Sequence, residues 1–129
     1  MATSKTLSKG KKILIIEDEI AFVKSLDSVL SKKYVIVSAE NGKEGFKKAK
    51  KLKPDLIMLD MILPDCNGIE VIRKLKNDKT TRDIKVVVLT SLGDADNISK
   101  VIQVGCQDYI VKADFSLNEI LNKIDEILA

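Results

Sequence analysis

Five side chains that can do chemistry each lie at the end of an apolar run in this sequence. Glu17 and Asp18 follow "ILII", Asp60 follows "DLIML", Thr90 ends "KVVVLT" and Lys112 ends "DYIVK". Crowded carboxylates repel one another and are stable together mainly when a cation lies among them. Oxygen ligands without histidine or cysteine favour a hard ion, and we predict Mg²⁺. A carboxylate can also act as the nucleophile towards a phosphoryl group, which a nearby ammonium and hydroxyl can then contact.

The apolar runs belong to a repeating pattern of strand and helix. Strands are predicted at residues 13–16, 34–39, 55–59, 85–90 and 108–112. An amphipathic helical segment follows each of them, and this alternation is typical of a parallel sheet with helices on both faces. We therefore predict an α/β fold with a doubly wound, five-stranded parallel sheet and five helices. Ligands of such sheets bind outside the carboxyl ends of the strands, where the five side chains would meet.

Helix starts are predicted from capping residues. Asp18 can cap the first helix, whose predicted buried stripe begins at Ile20. Asp94 and Asp96 favour the start of the fourth helix. Capping-box patterns open the other three helices: Asn41 with Glu44, Asn67 with Glu70, and Ser116 with Glu119.

Composition narrows the class of protein. A chain of 129 residues fits one domain, and no apolar run approaches the ~20 residues needed to span a bilayer. We expect a cytoplasmic protein that does not enter a membrane. The chain has no histidine, which excludes Ser-His-Asp and Cys-His chemistry, and its two cysteines do not make a metal site.

The positive charge of the chain is concentrated near the start. The formal net charge is +3, and four lysines lie in the first twelve residues without any acid. We predict a flexible basic tail at residues 1–11 and a single domain at residues 12–129. A second cluster of lysines lies between Lys43 and Lys53, and apolar residues occur among them at helical spacing. It indicates a solvated helix face rather than a phosphate-binding one, so direct nucleic-acid binding is not expected.

Each site residue alone has an ordinary structural interpretation. Asp18 could only cap a helix, Asp60 could bond the loop backbone, Thr90 is common in strands and Lys112 could be a surface lysine. These explanations would have to hold at four strand ends together. We therefore interpret the group as a functional site.

At these residues the sequence resembles the receiver domain of two-component response regulators. The resemblance runs from Ile13 to Leu128 and rests on "IIEDE", "LDMILPDCNG", "VVVLTS" and "GCQDYIVK". It implies a flavodoxin-like sheet with strand order 2-1-3-4-5. It also implies that Pro64 and Gly68 shape the loop beside the phosphoacceptor, Pro by fixing φ and Gly by tolerating close backbone approach.

The resemblance also assigns roles to single residues. Asp60 would be the phosphoacceptor, Lys112 would contact the phosphoryl group, and Thr90 and Tyr109 would be the switch residues. Asp18 would bind Mg²⁺ directly and Glu17 through water. With Asp60 itself, the Ile62 carbonyl would complete the protein ligands of the ion.

The sequence departs from the family after the site lysine. Receivers usually carry proline there, and this chain has Ala113. Since a cis bond before a residue other than proline costs about 2.5–4 kcal/mol, we predict a trans Lys112–Ala113 peptide. Cys106 replaces a small alanine and is expected to pack in the interior. A disulfide with Cys66 is not expected, because the two residues lie at opposite ends of the predicted sheet.

By this resemblance the chain is a phosphoacceptor module of a histidine-to-aspartate phosphorelay. Its partners would be a sensor histidine kinase or a phosphotransfer protein, and a downstream protein that binds the face of the fourth helix, fifth strand and fifth helix. It would be a monomer or a weak phosphorylation-dependent dimer, and it would be no enzyme beyond its own phosphorylation and dephosphorylation.

Three other functions are open to the same pattern. The first alternative is an interaction module on the same fold that is never phosphorylated. A phosphatase-like enzyme commonly has a second acid two residues after its nucleophile, where this chain has Ile62. A flavin carrier is disfavoured because an acidic first loop would repel a cofactor phosphate.

Overall fold

The computed structural model describes residues 10–91 and 95–129. Of the predicted basic tail, only Gly10 and Lys11 fall within this part of the chain. No helix in the described ranges is long and apolar enough to cross a membrane.

Five parallel strands form one sheet. They are β1 (Lys12–Ile16), β2 (Val35–Ala39), β3 (Leu56–Asp60), β4 (Lys85–Thr90) and β5 (Asp108–Val111). Their spatial order is β2-β1-β3-β4-β5, and every neighbouring pair is parallel. Both the predicted α/β class and the predicted strand order 2-1-3-4-5 are confirmed.

Five α-helices connect and follow the strands. They are α1 (Ile20–Leu30), α2 (Gly42–Leu52), α3 (Gly68–Lys76), α4 (Ala95–Val104) and α5 (Leu117–Leu128). A short 3-10 turn, Lys112–Asp114, joins β5 to α5. No described peptide bond is cis, so the Lys112–Ala113 bond within this turn is trans, as predicted.

The sheet separates two hydrophobic cores. Ile13 and Ile15 face the core that contains α1 and α5, whereas Leu14 and Ile16 face the core that contains α2, α3 and α4. Successive residues of a strand point to opposite faces, so a strand covered on both sides must be apolar throughout. This explains the uninterrupted "ILII" of β1.

Most helix starts follow the predicted capping residues. The side chains of Asn41 and Asn67 accept hydrogen bonds from the third residue of α2 and of α3, at 2.8 and 3.0 Å. Ser116 and Glu119 form a complete capping box at α5. Asp94 and the side chain of Asp96 lie outside the described part of the chain.

The first helix is the exception. Glu19, not Asp18, is the N-cap residue of α1, and it makes no side-chain capping bond. The predicted capping role of Asp18 is therefore wrong. Ile20, predicted to begin the buried stripe, is 57% exposed, so this prediction is wrong as well. Because the helix begins after Glu19, Asp18 stays outside it and its carboxylate is left for the site.

The amino end of the sheet, where the parallel strands begin, is closed by paired polar groups. Tyr34 donates a hydrogen bond of 2.5 Å to Asp125 of α5, and Lys33 forms an ion pair of 3.0 Å with the same carboxylate. The Asp55 carboxylate accepts from the Lys12 backbone N–H at 2.8 Å.

Two lysines at the same end of the sheet bind the last carbonyls of α5. Lys85 donates to the Ile127 carbonyl at 2.9 Å, and Lys11 donates to the Leu128 carbonyl. These carbonyls have no partner inside the helix, and cations near a helix C-terminus interact favourably with its dipole.

Strand β2 is an edge strand of the sheet. Its Val35 is 40% exposed. Lys48 of α2 reaches across to this strand and donates a 2.6 Å hydrogen bond to the Ser38 carbonyl.

Candidate functional site

Three acidic side chains meet at the carboxyl end of the sheet, where the parallel strands end. Glu17 and Asp18 follow β1 directly and Asp60 is the last residue of β3, the strand beside β1. One carboxylate oxygen from each lies within 4.8 Å of the other two. Glu17 and Asp60 are buried, whereas Asp18 is exposed to solvent. The structure therefore brings these three predicted residues together.

Lys112 enters this cluster from the end of β5. Its ammonium lies 2.5 Å from Glu17, 3.6 Å from Glu19 and 3.8 Å from Asp60. Burial lowers the pKa of Lys112, but the contact with Glu17 and the charges of Asp60 and Glu19 outweigh it, so the pKa lies above its ordinary value. The lysine is therefore a firmly charged group within reach of the Asp60 carboxylate.

The buried Glu17 carboxylate is incompletely satisfied. Its Oε2 accepts from the Glu19 backbone N–H at 3.2 Å. Its Oε1 is the close ionic neighbour of Lys112, yet it has no hydrogen-bond partner of good geometry among the described residues. A buried oxygen in this condition is costly unless another cation or donor reaches it.

The Asp60 carboxylate is held in an environment that opposes its charge. Burial raises the pKa of Asp60, and its contact with Glu17 raises it further. The charge of Lys112 and a hydrogen bond from the Ile62 backbone N–H act in the opposite direction but do not cancel the rise. One lysine is thus too little positive charge for the acids around it.

The donor set fits a hard divalent cation. Three carboxylates converge, and one buried oxygen, although close to Lys112, has no hydrogen bond of good geometry to any described residue. The exposed Asp18 leaves the cluster open to solvent. A small oxygen-seeking ion that keeps several waters needs such a partly open group of carboxylates.

The loop after Asp60 closes tightly over the end of β3. The Gly68 N–H donates to the Met61 carbonyl at 2.7 Å. A Cβ atom at Gly68 would lie 3.0 Å from the Asp60 carbonyl oxygen and 3.2 Å from the Met61 Cα. Gly68 therefore lies at a close backbone approach, as predicted, where a Cβ atom would be crowded. Ile62 lies on the outside of this loop, with a side chain that is 77% exposed.

The same loop is tied to α2 by a residue that was not predicted. The Asp65 carboxylate accepts from the backbone N–H groups of Gly42 and Lys43, at 2.8 and 2.9 Å. These bonds lower the pKa of Asp65. The sequence carries no signal for the pairing, because the donors lie more than twenty residues away along the chain.

The two residues assigned to the switch line one small cavity. Thr90 ends β4 and Tyr109 lies in the neighbouring β5; both are half-buried. The cavity between them is also lined by Met61, Ile98 and Val101. The structure thus brings Thr90 and Tyr109 to the same space, beside the strand that carries Asp60.

Both cysteines are free, in agreement with the prediction that they form no disulfide, and both are half-buried. Cys106 packs against the core of α2, α3 and α4, and burial raises the pKa of its thiol. Burial and the neighbouring Asp65 raise the pKa of Cys66 to about 11. Neither thiol is therefore activated as a nucleophile.

A sheet of order 2-1-3-4-5 with three acids, a lysine and a hydroxyl residue at its carboxyl end defines the class of protein. Residues 13–125 match the family of the response regulator receiver domain. The chain belongs to this family, which is a signalling module of two-component systems.

Several known proteins share this sequence or fold. The phosphate regulon transcriptional regulatory protein PhoB of Pseudomonas aeruginosa is 38% identical over 92% of this chain and 52% of its own length. The chemotaxis protein CheY of Thermotoga maritima is 31% identical over 91% of this chain and 99% of its own length. The solved structure of the phosphorylated cyanobacterial phytochrome response regulator RcpA is 28% identical, with a TM-score of 0.77 over 91% of this chain and 90% of that one. The chain therefore spans about half of PhoB and nearly all of this CheY.

Proposed function

We propose that this protein accepts a phosphoryl group on Asp60 from the phosphohistidine of a sensor kinase or phosphotransfer protein. The observation that carries the proposal is the buried Asp60 carboxylate, 3.8 Å from the Lys112 ammonium and in one cluster with Glu17 and Asp18. RcpA, a relative in fold and sequence, has been solved in a phosphorylated state.

Mg²⁺ is the proposed cofactor. Glu17, Asp18 and Asp60 would hold it together with the Ile62 carbonyl, and the bound ion would neutralise charge on the phosphoryl oxygens. Its positive charge would also favour the ionised form of Asp60, whose pKa the protein alone raises.

Phosphoryl transfer would then proceed by direct displacement. An Asp60 oxygen forms a bond to phosphorus while the bond from phosphorus to the donor nitrogen breaks, and the donor imidazole keeps the electron pair. Lys112 would stabilise the charge on the phosphoryl oxygens as a point charge. The protein does no other chemistry in this proposal, and hydrolysis of its own aspartyl phosphate returns it to the starting state.

The output would be a change of surface rather than a reaction. Thr90 would turn towards the phosphoryl group, and Tyr109 would move into the cavity that both residues line. The face of α4, β5 and α5 would then bind a downstream protein, or a second copy in a weak dimer. PhoB is a transcriptional regulator and CheY a chemotaxis protein, so relatives serve different outputs. We propose that this chain is cytoplasmic and acts on a protein partner, with no direct binding to nucleic acid or membrane.

The experiment is phosphorylation by acetyl phosphate, measured by intact mass. We expect one added phosphoryl group with Mg²⁺ and none in excess chelator. Asp60→Asn should abolish the addition, and Asp18→Asn should raise the Mg²⁺ concentration that the addition needs. Asp78→Asn is the matched control, because this carboxylate lies away from the site and pairs with Lys50 at 3.1 Å. A wild-type protein that takes no phosphoryl group would instead support the alternative of an interaction module that is never phosphorylated.

A further inference from the structure

The ammonium of Lys112 has an aromatic neighbour besides the acids. Its Nζ atom lies over the ring of Phe22, 4.7 Å from the ring centroid. Phe22 belongs to the first turn of α1, just after the acidic residues that follow β1, and packs partly buried against the core of α1 and α5. A cation within about 6 Å of an aromatic face is attracted by the negative charge of that face.

This contact differs from the two similar ones in the described part of the chain. Lys50 lies 5.7 Å from the Phe46 ring and Lys123 lies 5.6 Å from the Phe115 ring. The side chain of Lys50 is 49% exposed and that of Lys123 26%, whereas that of Lys112 is 13% exposed. Of the three contacts, the one with Phe22 has the shortest distance and the least exposed lysine. Because the attraction between a cation and an aromatic ring is stronger where water is excluded, we expect it to be strongest here.

An aromatic face and a carboxylate hold an ammonium in different ways. Glu17 brings a full negative charge to Lys112, and it is also one of the residues that would hold the metal ion. The ring of Phe22 carries no net charge and is no ligand for a hard cation. Its contact with Lys112 therefore neither competes with metal binding nor cancels the charge that the lysine offers to a phosphoryl group.

We propose that Phe22 is a positioning residue that holds the Lys112 ammonium in the site for phosphoryl transfer to Asp60. This inference rests on the proposed function, in which Lys112 contacts the phosphoryl group. Lys112 has a long side chain that can turn towards solvent once Glu17 is engaged elsewhere. Of the neighbours that remain, Glu19 is largely exposed, whereas the partly buried Phe22 ring can keep the ammonium beside Asp60.

The test varies the charge of the aromatic face while keeping its shape. Phenylalanines with increasing numbers of ring fluorines, placed at position 22, progressively weaken the negative face. We expect the rate of phosphorylation by acetyl phosphate at saturating Mg²⁺ to fall stepwise, by about three- to tenfold for the fully fluorinated ring. Phe22→Tyr should retain the wild-type rate. Phe22→Leu should lower the rate as much as the fully fluorinated ring does. Fluorination of Phe46, which packs against the other core, is the matched control and should leave the rate unchanged.

A second readout does not depend on phosphorylation. The ring of Phe22 should shift the resonances of the Lys112 side-chain methylene next to Nζ upfield, and Phe22→Leu should abolish this shift. If the wild type is phosphorylated, and neither the fluorinated rings nor Phe22→Leu change the rate, the inference about Phe22 is overturned while the proposed function stands. A wild type that takes no phosphoryl group at all would overturn the proposed function, and the role of Phe22 in it.

Discussion

The two ends of the sheet use the same kinds of residue for opposite purposes. At the amino end, Tyr34 and Lys33 satisfy Asp125, and Lys85 satisfies a terminal carbonyl of α5. At the carboxyl end, several acids share Lys112, and one buried oxygen of Glu17 has no hydrogen bond of good geometry within the described part of the chain. Satisfied polar groups stabilise a fold, whereas crowded buried carboxylates cost stability and attract cations. One end therefore holds the sheet together, whereas the other gives up stability and leaves more acidic charge than its one lysine neutralises.

The largest effect on stability is expected from removing the shared cation. Lys112→Met leaves Glu17 and Asp60 buried without it, and should lower the free energy of unfolding by about 2–4 kcal/mol in chelator. Mg²⁺ should restore part of this loss, because an ion that binds the native state stabilises it. Urea unfolding with and without Mg²⁺ measures both. If Lys112→Met had the same unfolding midpoint as wild type in chelator, Lys112 would not be needed to neutralise the buried acids at the carboxyl end.

The opposite change at the same end should stabilise the protein. Asp60→Asn removes a buried carboxylate and should raise the free energy of unfolding by about 1–3 kcal/mol at pH 7 without Mg²⁺. The native pKa of Asp60 is raised, so the native state holds its proton more tightly than the unfolded state. Wild-type stability should therefore fall as pH rises above the ordinary carboxyl pKa, and the gain from Asp60→Asn should vanish near pH 4 and below.

Unfolding curves measured between pH 4 and 7 test whether wild-type stability falls as pH rises. Asp125→Asn is the matched variant at the amino end, where the carboxylate is satisfied, and it should lower stability. A loss of stability for both variants at pH 7 would show that the two ends do not differ in the way described.

A smaller loss is expected from the hydroxyl at the amino end. Tyr34→Phe removes the hydrogen bond to Asp125 and should cost about 0.5–1.5 kcal/mol at neutral pH. Burial and the Asp125 carboxylate raise the pKa of Tyr34, so the native state keeps a proton that the unfolded state loses near pH 10. Wild-type stability should therefore decline above that pH through this residue, and the difference from Tyr34→Phe should shrink. A cost that stays constant up to pH 11 would argue against this hydrogen bond.

The smallest effect is expected at the end of α5. Lys85→Met removes a cation from the last carbonyls of the helix and should cost about 0.3–1 kcal/mol, less in high salt. Thermal unfolding at low and high ionic strength measures it. The same substitution at Lys51, an exposed lysine of α2, is a control for the loss of one surface charge.

Features that depend on local sequence patterns could be predicted, whereas contacts between distant segments of the chain could not. The strands, and the meeting of Asp18, Asp60 and Lys112 at one end of the sheet, follow from apolar runs and from the rule for ligands in parallel sheets. The strand order followed from the resemblance to receiver domains. The cap of α1 was mispredicted because two adjacent acids, Asp18 and Glu19, can each begin a helix, and the local pattern does not choose between them.

Contacts between side chains on separate elements could not be predicted. The placement of Phe22 against Lys112 depends on how the first turn of α1 meets the turn that follows β5. The tie from Asp65 to α2 depends on how a loop folds back on a helix. Both require the assembled fold, since neither residue lies near its partner in sequence. The imbalance of charge around Asp60 likewise became visible only with burial, because exposed acids in the same sequence would carry no such cost.

The lysine that reaches across the edge strand has a consequence for how this protein behaves in a crowded solution. An open strand edge offers unpaired backbone groups to the edge of another molecule and can seed aggregation. Along β2, the Ser38 carbonyl is already bound by Lys48, whose charge and long side chain stand in the path of an incoming strand. At this position the edge of β2 is therefore less open to pairing with the edge of a second copy.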